Sequence, residues 1–269
     1  MAIIYIGGLA LAALLSALAA IGTWELFRMA RTTGIRPIAA LGIAFAVVIP
    51  LAQAAAPAGV FDIAPEWAAA GVLLTLTLVL WLRRADAHPL GAAAITLLAP
   101  AYTAGMLTFG FAIRNHNYVV GRVAGTALVL FPVLLTWIND IGAFAIGRWL
   151  GRQKLVPTVS PGKTVAGAIG GLACTVIVAW AYAHWVLPRA AQLALSPGGA
   201  IAFGIAVSIA AQVGDLFESL LKREANVKDS STIFPGHGGV LDRLDSLFFV
   251  LPIAYLIFDI PGLLIPVPV

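Results

Sequence analysis

Residues 198–223, GGAIAFGIAVSIAAQVGDLFESLLKR, decide the fold class. The run is apolar for most of its length and exceeds the roughly 20 residues that cross a hydrocarbon core about 30 Å thick. Within it Ser208, Gln212, Asp215, Ser219 and Lys222 follow one another at intervals of 4, 3, 4 and 3 residues. At 3.6 residues per turn that spacing stacks them on one face of a helix. A polar stripe in an apolar helix must face protein or a water-filled cavity. Interhelical hydrogen bonding accounts for Ser208 and Gln212. It does not account for Asp215, Lys222 and Arg223 together, which read as a functional stripe.

The rest of the chain repeats the apolar pattern. Over 269 residues it is 61% hydrophobic and 10% charged, with a mean hydropathy of +0.99, where average soluble chains carry about 25% charged residues. Spans are expected near 3–27, 35–56, 65–82, 89–112, 120–147, 164–187, 198–221 and 244–260. The fifth is long for one crossing and is expected to break at Pro132 or to continue past the membrane. The Pro-rich tail after residue 260 suggests a re-entrant segment or a ninth short span. The expected fold is therefore all-α, a polytopic transmembrane helical bundle of eight or nine spans. No Lys or Arg precedes the first apolar run, so residues 3–27 read as a retained span. The single Cys174 excludes an internal disulfide and a cysteine metal cluster, and reads as a packing residue.

Charge sets the expected orientation. With the N-terminus outside, thirteen of the 16 basic residues fall on the cytoplasmic side and only Arg114, Arg122 and Arg189 on the other. Polar motifs concentrate in the second part of the chain, which divides into an N-terminal scaffold, 1–113, and a C-terminal catalytic domain, 114–269. The window 208–249 holds ten of the 28 charged residues, and ionisable groups at membrane depth mark function by default. No basic patch interleaved with aromatics appears, so nucleic acid is not an expected partner.

Two further stretches carry chemistry. FPGHGGVLDRLDS, 234–246, combines a Gly-rich loop, whose backbone N–H groups can approach phosphate oxygens, with His237, Asp242, Arg243 and Asp245. Asp245 is explained by helix capping or by Arg243; Asp242 reads as a metal ligand, with Asp215 offering a second carboxylate. Oxygen-only ligation points to Mg²⁺. Upstream, 137–171 contains Asp140, the small residues Gly142, Gly147 and Gly151, and the loop Ser160-Pro161-Gly162-Lys163-Thr164. That loop lacks the GxxxxGK[ST] spacing of a P-loop. Asp140 and Asp215 are read as the acidic residues well inside apolar runs.

The run from Ser219 through Lys222-Arg223, Lys228-Asp229 and Pro235-Gly-His237-Gly-Gly-Val-Leu-Asp242-Arg243-Leu-Asp245 resembles the signature of the phosphatidate cytidylyltransferases over 27 residues. Asp140-Ile-Gly-Ala-Phe and Ser160-Pro-Gly-Lys163-Thr164 resemble further motifs of that family in the expected order. Where the family loop reads SPKKTWEG, this chain has SPGKTVAG, without one lysine, the tryptophan and the glutamate. The resemblance implies transfer of the cytidylyl group of CTP to phosphatidic acid, giving CDP-diacylglycerol and pyrophosphate, with Mg²⁺ and a monovalent cation such as K⁺. It implies Asp215 and Asp242 as metal ligands and, with Lys222 and Arg223, as catalytic residues. Lys163, Ser160, Ser219, Lys228, His237, Arg243 and Asp140 would bind substrate. It also implies a multi-pass protein of the inner membrane; a homodimer follows from base rates alone. A transporter would need charges at mid-span depth in several helices and internal repeats, which are absent. The CDP-alcohol phosphotransferase pattern DGxxAR…GxxxDxxxD is also absent. A catalytically degenerate membrane-complex subunit is the alternative that the altered loop keeps open.

Overall fold

Long runs of Ala, Leu, Ile and Val with few β-breaking clusters fold as helices throughout. The computed structural model describes residues 1–56, 65–236 and 238–267. In chain order the helices are α1 Ala2–Ile6, α2 Gly8–Thr32, α3 Ala39–Ala55, α4 Pro65–Leu82, α5 Pro89–Pro100, α6 Met106–Arg114, α7 Gly121–Leu150, α8 Val165–Trp185, α9 Leu187–Ala191, α10 Pro197–Glu224, α11 Leu241–Leu244 and α12 Leu247–Phe258. A π-helical turn, Ala101–Gly105, joins α5 to α6. Among the described residues there are also four short strands: β1 Lys154–Val156, β2 Ser160–Thr164, β3 Leu193–Leu195 and β4 Leu264–Pro266.

Among the described residues six helical stretches are long and apolar enough to cross a membrane: Gly8–Thr32, Pro65–Leu82, Pro89–Arg114, Gly121–Leu150, Val165–Trp185 and Pro197–Glu224. Two more of the eight expected segments are helical but shorter, Ala39–Ala55 and Leu247–Phe258. At 1.5 Å per residue, twelve residues reach only about 18 Å. Of the two outcomes expected for the fifth segment the break at Pro132 is absent: α7 runs unbroken for 30 residues, longer than one crossing needs, and Thr136 Oγ1 donates to the Pro132 carbonyl at 2.9 Å. The tail is not a span either: Leu193, Ala194 and Leu195 pair antiparallel with Pro266, Ile265 and Leu264. Such a chain is a multi-pass membrane protein. Helix α4 fits that solvent, burying only Thr75 and Val79.

Two compact units make up the chain, one of Met1–Gly7, Ala112–Leu220 and Asp245–Val269, the other of Gly8–Phe111 and Leu221–Leu244. In the first, helices α7 and α8 pack closely because small residues face each other. A Cβ on Gly167 would lie 2.7 Å from the Ala143 carbonyl, and one on Gly142 would lie 2.9 Å from Cys174 Sγ. Cys174 is thus a packing residue beside a glycine, as expected. Lipid-like surroundings give little hydrophobic drive between helices, so close backbone approach of this kind is what holds them. Phe131, Tyr182, Phe203 and Phe258 form a buried aromatic stack, with centroids 4.5 Å apart for Phe131–Tyr182 and 4.8 Å for Phe203–Phe258. The Tyr182 hydroxyl donates to the Ala127 carbonyl at 2.7 Å. In the second unit α2, α3 and α5 pack together. Ser16 Oγ donates to the Val47 carbonyl at 2.9 Å, and Thr23 and Thr103 hydroxyls meet at 2.7 Å.

His116, in the loop between α6 and α7, is buried beneath Tyr118 and Tyr255, with Nε2 3.9 Å from Asp259 Oδ1. Burial pushes its imidazole below the ordinary 6.5, and Asp259 offsets part of that push. A base held neutral in the folded state contributes its full share of stability above 6.5. That share falls as the unfolded chain takes up the proton first. Thermal melting of the protein in detergent should therefore drop as the pH falls below about 6.5, and His116→Gln should make the drop shallower. An unchanged slope contradicts this.

Candidate active site

The first unit holds a cavity of about 520 Å³ whose lining includes Asp140, Arg148, Lys154, Lys163, Gln212 and Asp215. Its geometry begins with the hairpin of β1 and β2, in which Lys154 pairs with Thr164 and Val156 with Ser160. Thr164 ends the hairpin and caps α8, its Oγ1 accepting from the Gly167 N–H at 3.1 Å. This is the ordinary N-cap device, and it satisfies one of the helix's open donors. Side chains at Gly147 or Gly151 would strike Thr164, so the small residues noted in the sequence let the hairpin lie against the end of α7. The hairpin then delivers Lys163 Nζ to 2.7 Å from Asp215 Oδ2 on α10. The two side chains are 25% and 34% exposed, so the pair is partly screened rather than sealed.

Beneath the pair the stripe on α10 is tied to α7. Ser208 Oγ donates to Asn139 Oδ1 at 2.7 Å, and Gln212 Nε2 reaches the same oxygen at 3.3 Å and the Ala168 carbonyl at 3.1 Å. Asn139 Nδ2 donates in turn to Asp140 Oδ1 at 3.3 Å. Ser208 and Gln212 are therefore interhelical ties, as their residue types suggest. Ser219 Oγ stands 3.5 Å from Asp215 Oδ1, the outer limit of a hydrogen bond. Ser160 is half-buried at the start of β2, and Gly162 faces open space, with nothing within 4 Å of a Cβ there. A lysine missing at that position therefore leaves no gap in the packing.

A second polar cluster lies within the other unit. Lys222 Nζ is 2.7 Å from Asp242 Oδ1. Asp242 Oδ2 accepts from the Ser230 N–H at 2.8 Å, the Ser230 hydroxyl at 2.7 Å and the Gly239 N–H at 2.7 Å. Its side chain is only 11% exposed, and each bond offsets the cost of burying the charge. Arg223, Lys228 and Arg243 of the same unit are exposed. His237 lies outside the described residues. Asp245, in the first unit, accepts from the Ser246 N–H at 2.6 Å, the local bonding its position at a helix start suggests.

Three polar residues escaped the sequence reading. Asn139 sits beside Asp140 and looks unremarkable next to a charge. Glu218 is fully buried on α10. Glu25 is fully buried on α2 in the stretch taken as a sparse scaffold. Its signal was present, since an acidic residue inside an apolar span marks function by default. Among the described residues no three of His, Cys, Asp and Glu converge as a ready metal cluster. Asp140 and Asp215 nevertheless supply two carboxylates to one cavity. That set fits Mg²⁺, which binds through one or two carboxylates plus substrate phosphates.

Residues 1–260 match the model of the cytidylyltransferase family. A phosphatidate cytidylyltransferase of Staphylococcus aureus (strain COL) is 38% identical over 161 residues, 60% of this chain and 57% of the relative. One from Staphylococcus haemolyticus is 40% identical over the same length. Another, from Staphylococcus saprophyticus, is 45% identical over 132 residues, 49% of each chain. The chain thus spans a little over half the length of the curated relatives it matches. Asn139→Ala should take the acceptor from the Ser208 hydroxyl, while Gln212 keeps the Ala168 carbonyl, and lower stability by about 1–3 kcal/mol, read as a reduced melting temperature in detergent. A wild-type melt would show that the tie contributes nothing.

Proposed function

The chain belongs to the cytidylyltransferase family, and from that premise we propose that it transfers the cytidylyl group of CTP to phosphatidic acid. The observation that carries this reading is the cavity of about 520 Å³ in which Lys163, Arg148 and Lys154 meet the carboxylates Asp140 and Asp215. A phosphate oxygen of the lipid attacks the α-phosphorus of CTP. The bond to the β-phosphate breaks, and pyrophosphate leaves with the electron pair. Two polyanions must meet in this step, so positioning and neutralisation of charge dominate over base catalysis. Phosphatidate is already ionised near neutral pH, and no general base is needed.

The cavity lining and the signature together suggest the roles. Lys163, held on its hairpin, binds nucleotide phosphate. Asp215 and Asp140 present oxygen to the cavity, and Asp215 is the ligand we assign to Mg²⁺, which would supply charge neutralisation at the phosphates. Asp242 carries the same proposed role on the strength of the signature; Lys222 would then have to yield Oδ1. Lys222, Arg223, Lys228 and Arg243 are cationic contacts for phosphate, with Ser160, Ser219 and His237 as polar ones. A monovalent cation such as K⁺ accompanies the divalent one in this reading. The asymmetry of Lys and Arg supports an outside N-terminus, a site on the cytoplasmic side and residence in the inner membrane. A homodimer is the expected assembly on base rates.

Purified protein in detergent, given phosphatidic acid, labelled CTP, Mg²⁺ and K⁺, should form CDP-diacylglycerol, and EDTA should abolish it. Asp215→Ala should reduce turnover about a hundredfold or more. Wild-type turnover in that variant would remove Asp215 from the site.

A further inference from the structure

Glu25 lies on α2 and is completely buried. Its Oε1 accepts from the Ser231 hydroxyl and from the Val240 N–H at 3.0 Å. Its Oε2 accepts from the Leu241 N–H at 2.7 Å and meets the Ser230 hydroxyl at 3.2 Å. A carboxylate is an acceptor only, with about four lone-pair sites, and both ends of a single segment bring donors to it. Burying such a charge is costly unless donors surround it, so the carboxylate and the segment stabilise one another.

The Ser230 hydroxyl also reaches Asp242 Oδ2 at 2.7 Å, and Asp242 holds Lys222. One proton cannot serve two carboxylates. The shorter contact to Asp242 takes it, and the grip of Glu25 then rests on Ser231, Val240 and Leu241. Gly239 belongs to the same device: a Cβ there would collide with Glu25 Oε1 and Ser230 Oγ. We propose that Glu25 is a positioning residue, clamping the signature loop from α2 so that Asp242 and Lys222 keep their alignment for the cytidylyl transfer.

The proposal rests on the functional reading above for its catalytic consequence, but not for the clamp itself. Glu25→Gln puts an NH₂ group against a backbone N–H whichever way the amide turns, that of Val240 on one side or of Leu241 on the other. In the full-length protein in detergent, amide hydrogen exchange across 229–242 should quicken roughly tenfold in this variant. The kcat should fall about tenfold or more, with KM for CTP and for phosphatidate within about threefold of wild type. Glu25→Asp, which keeps the acceptor, should recover part of both losses. Should Glu25→Gln not fold, Ser231→Ala removes one donor and should move both readouts the same way by less. Unchanged exchange across 229–242, or faster exchange with unaltered kcat, overturns the proposal. Wild-type protein that makes no CDP-diacylglycerol would sink the functional reading, while the exchange data would still decide whether Glu25 clamps the loop.

Discussion

The contact between Lys163 and Asp215, 2.7 Å long, is the interaction around which the first unit is arranged. An aspartate in an apolar helix needs a cation, donors or water to stay charged. Here the cation comes from a hairpin inserted between α7 and α8. That hairpin can reach Asp215 because glycine at 147, 151 and 167 leaves room for Thr164 and the backbone around it. The cap on α8 then fixes the strand that ends in Thr164, and Lys163 is the residue before it. Small residues, cap, hairpin and ion pair are successive consequences of one requirement, that a charge be kept in an apolar helix.

The same requirement shapes the second unit by a different route. Glu25 is a buried carboxylate and Asp242 a mostly buried one, and donors from the 230–241 segment meet each of them. Only Asp242 is paired with a cation in the contacts described, through Lys222. The glycines of the signature fit this arrangement as much as they fit phosphate approach. Gly239 leaves space that the Glu25 carboxylate occupies, and its N–H is spent on Asp242.

The helices and the stripe on α10 were legible in the sequence because both are local and periodic. Ser208, Gln212 and Asp215 sit where a 3.6-residue repeat puts them, and their partners are those their chemistry asks for. The length of a helix is set by less local effects. Composition left the fifth segment either to break at Pro132 or to run on as one long helix, and it runs on, one missing N–H being outweighed by packing on both sides. The tail after residue 260 reads as a possible span by composition, yet its strand is decided by a partner some seventy residues earlier in the chain. Glu25 was passed over for the same reason. It stands among Trp, Leu and Phe with no motif around it, and its partners lie more than 200 residues away. A tertiary contact of that separation has no periodic signature.

Lys163 offers the most direct test of the account, because a dedicated hairpin delivers its ammonium group to Asp215. Equilibrium binding of a non-hydrolysable CTP analogue to purified protein, compared between wild type and Lys163→Met, isolates nucleotide recognition from chemistry. The account predicts binding weakened by about tenfold or more, as expected for loss of a charge-assisted phosphate contact. Equal affinity in the two proteins would contradict it, and would place the nucleotide somewhere other than this cavity.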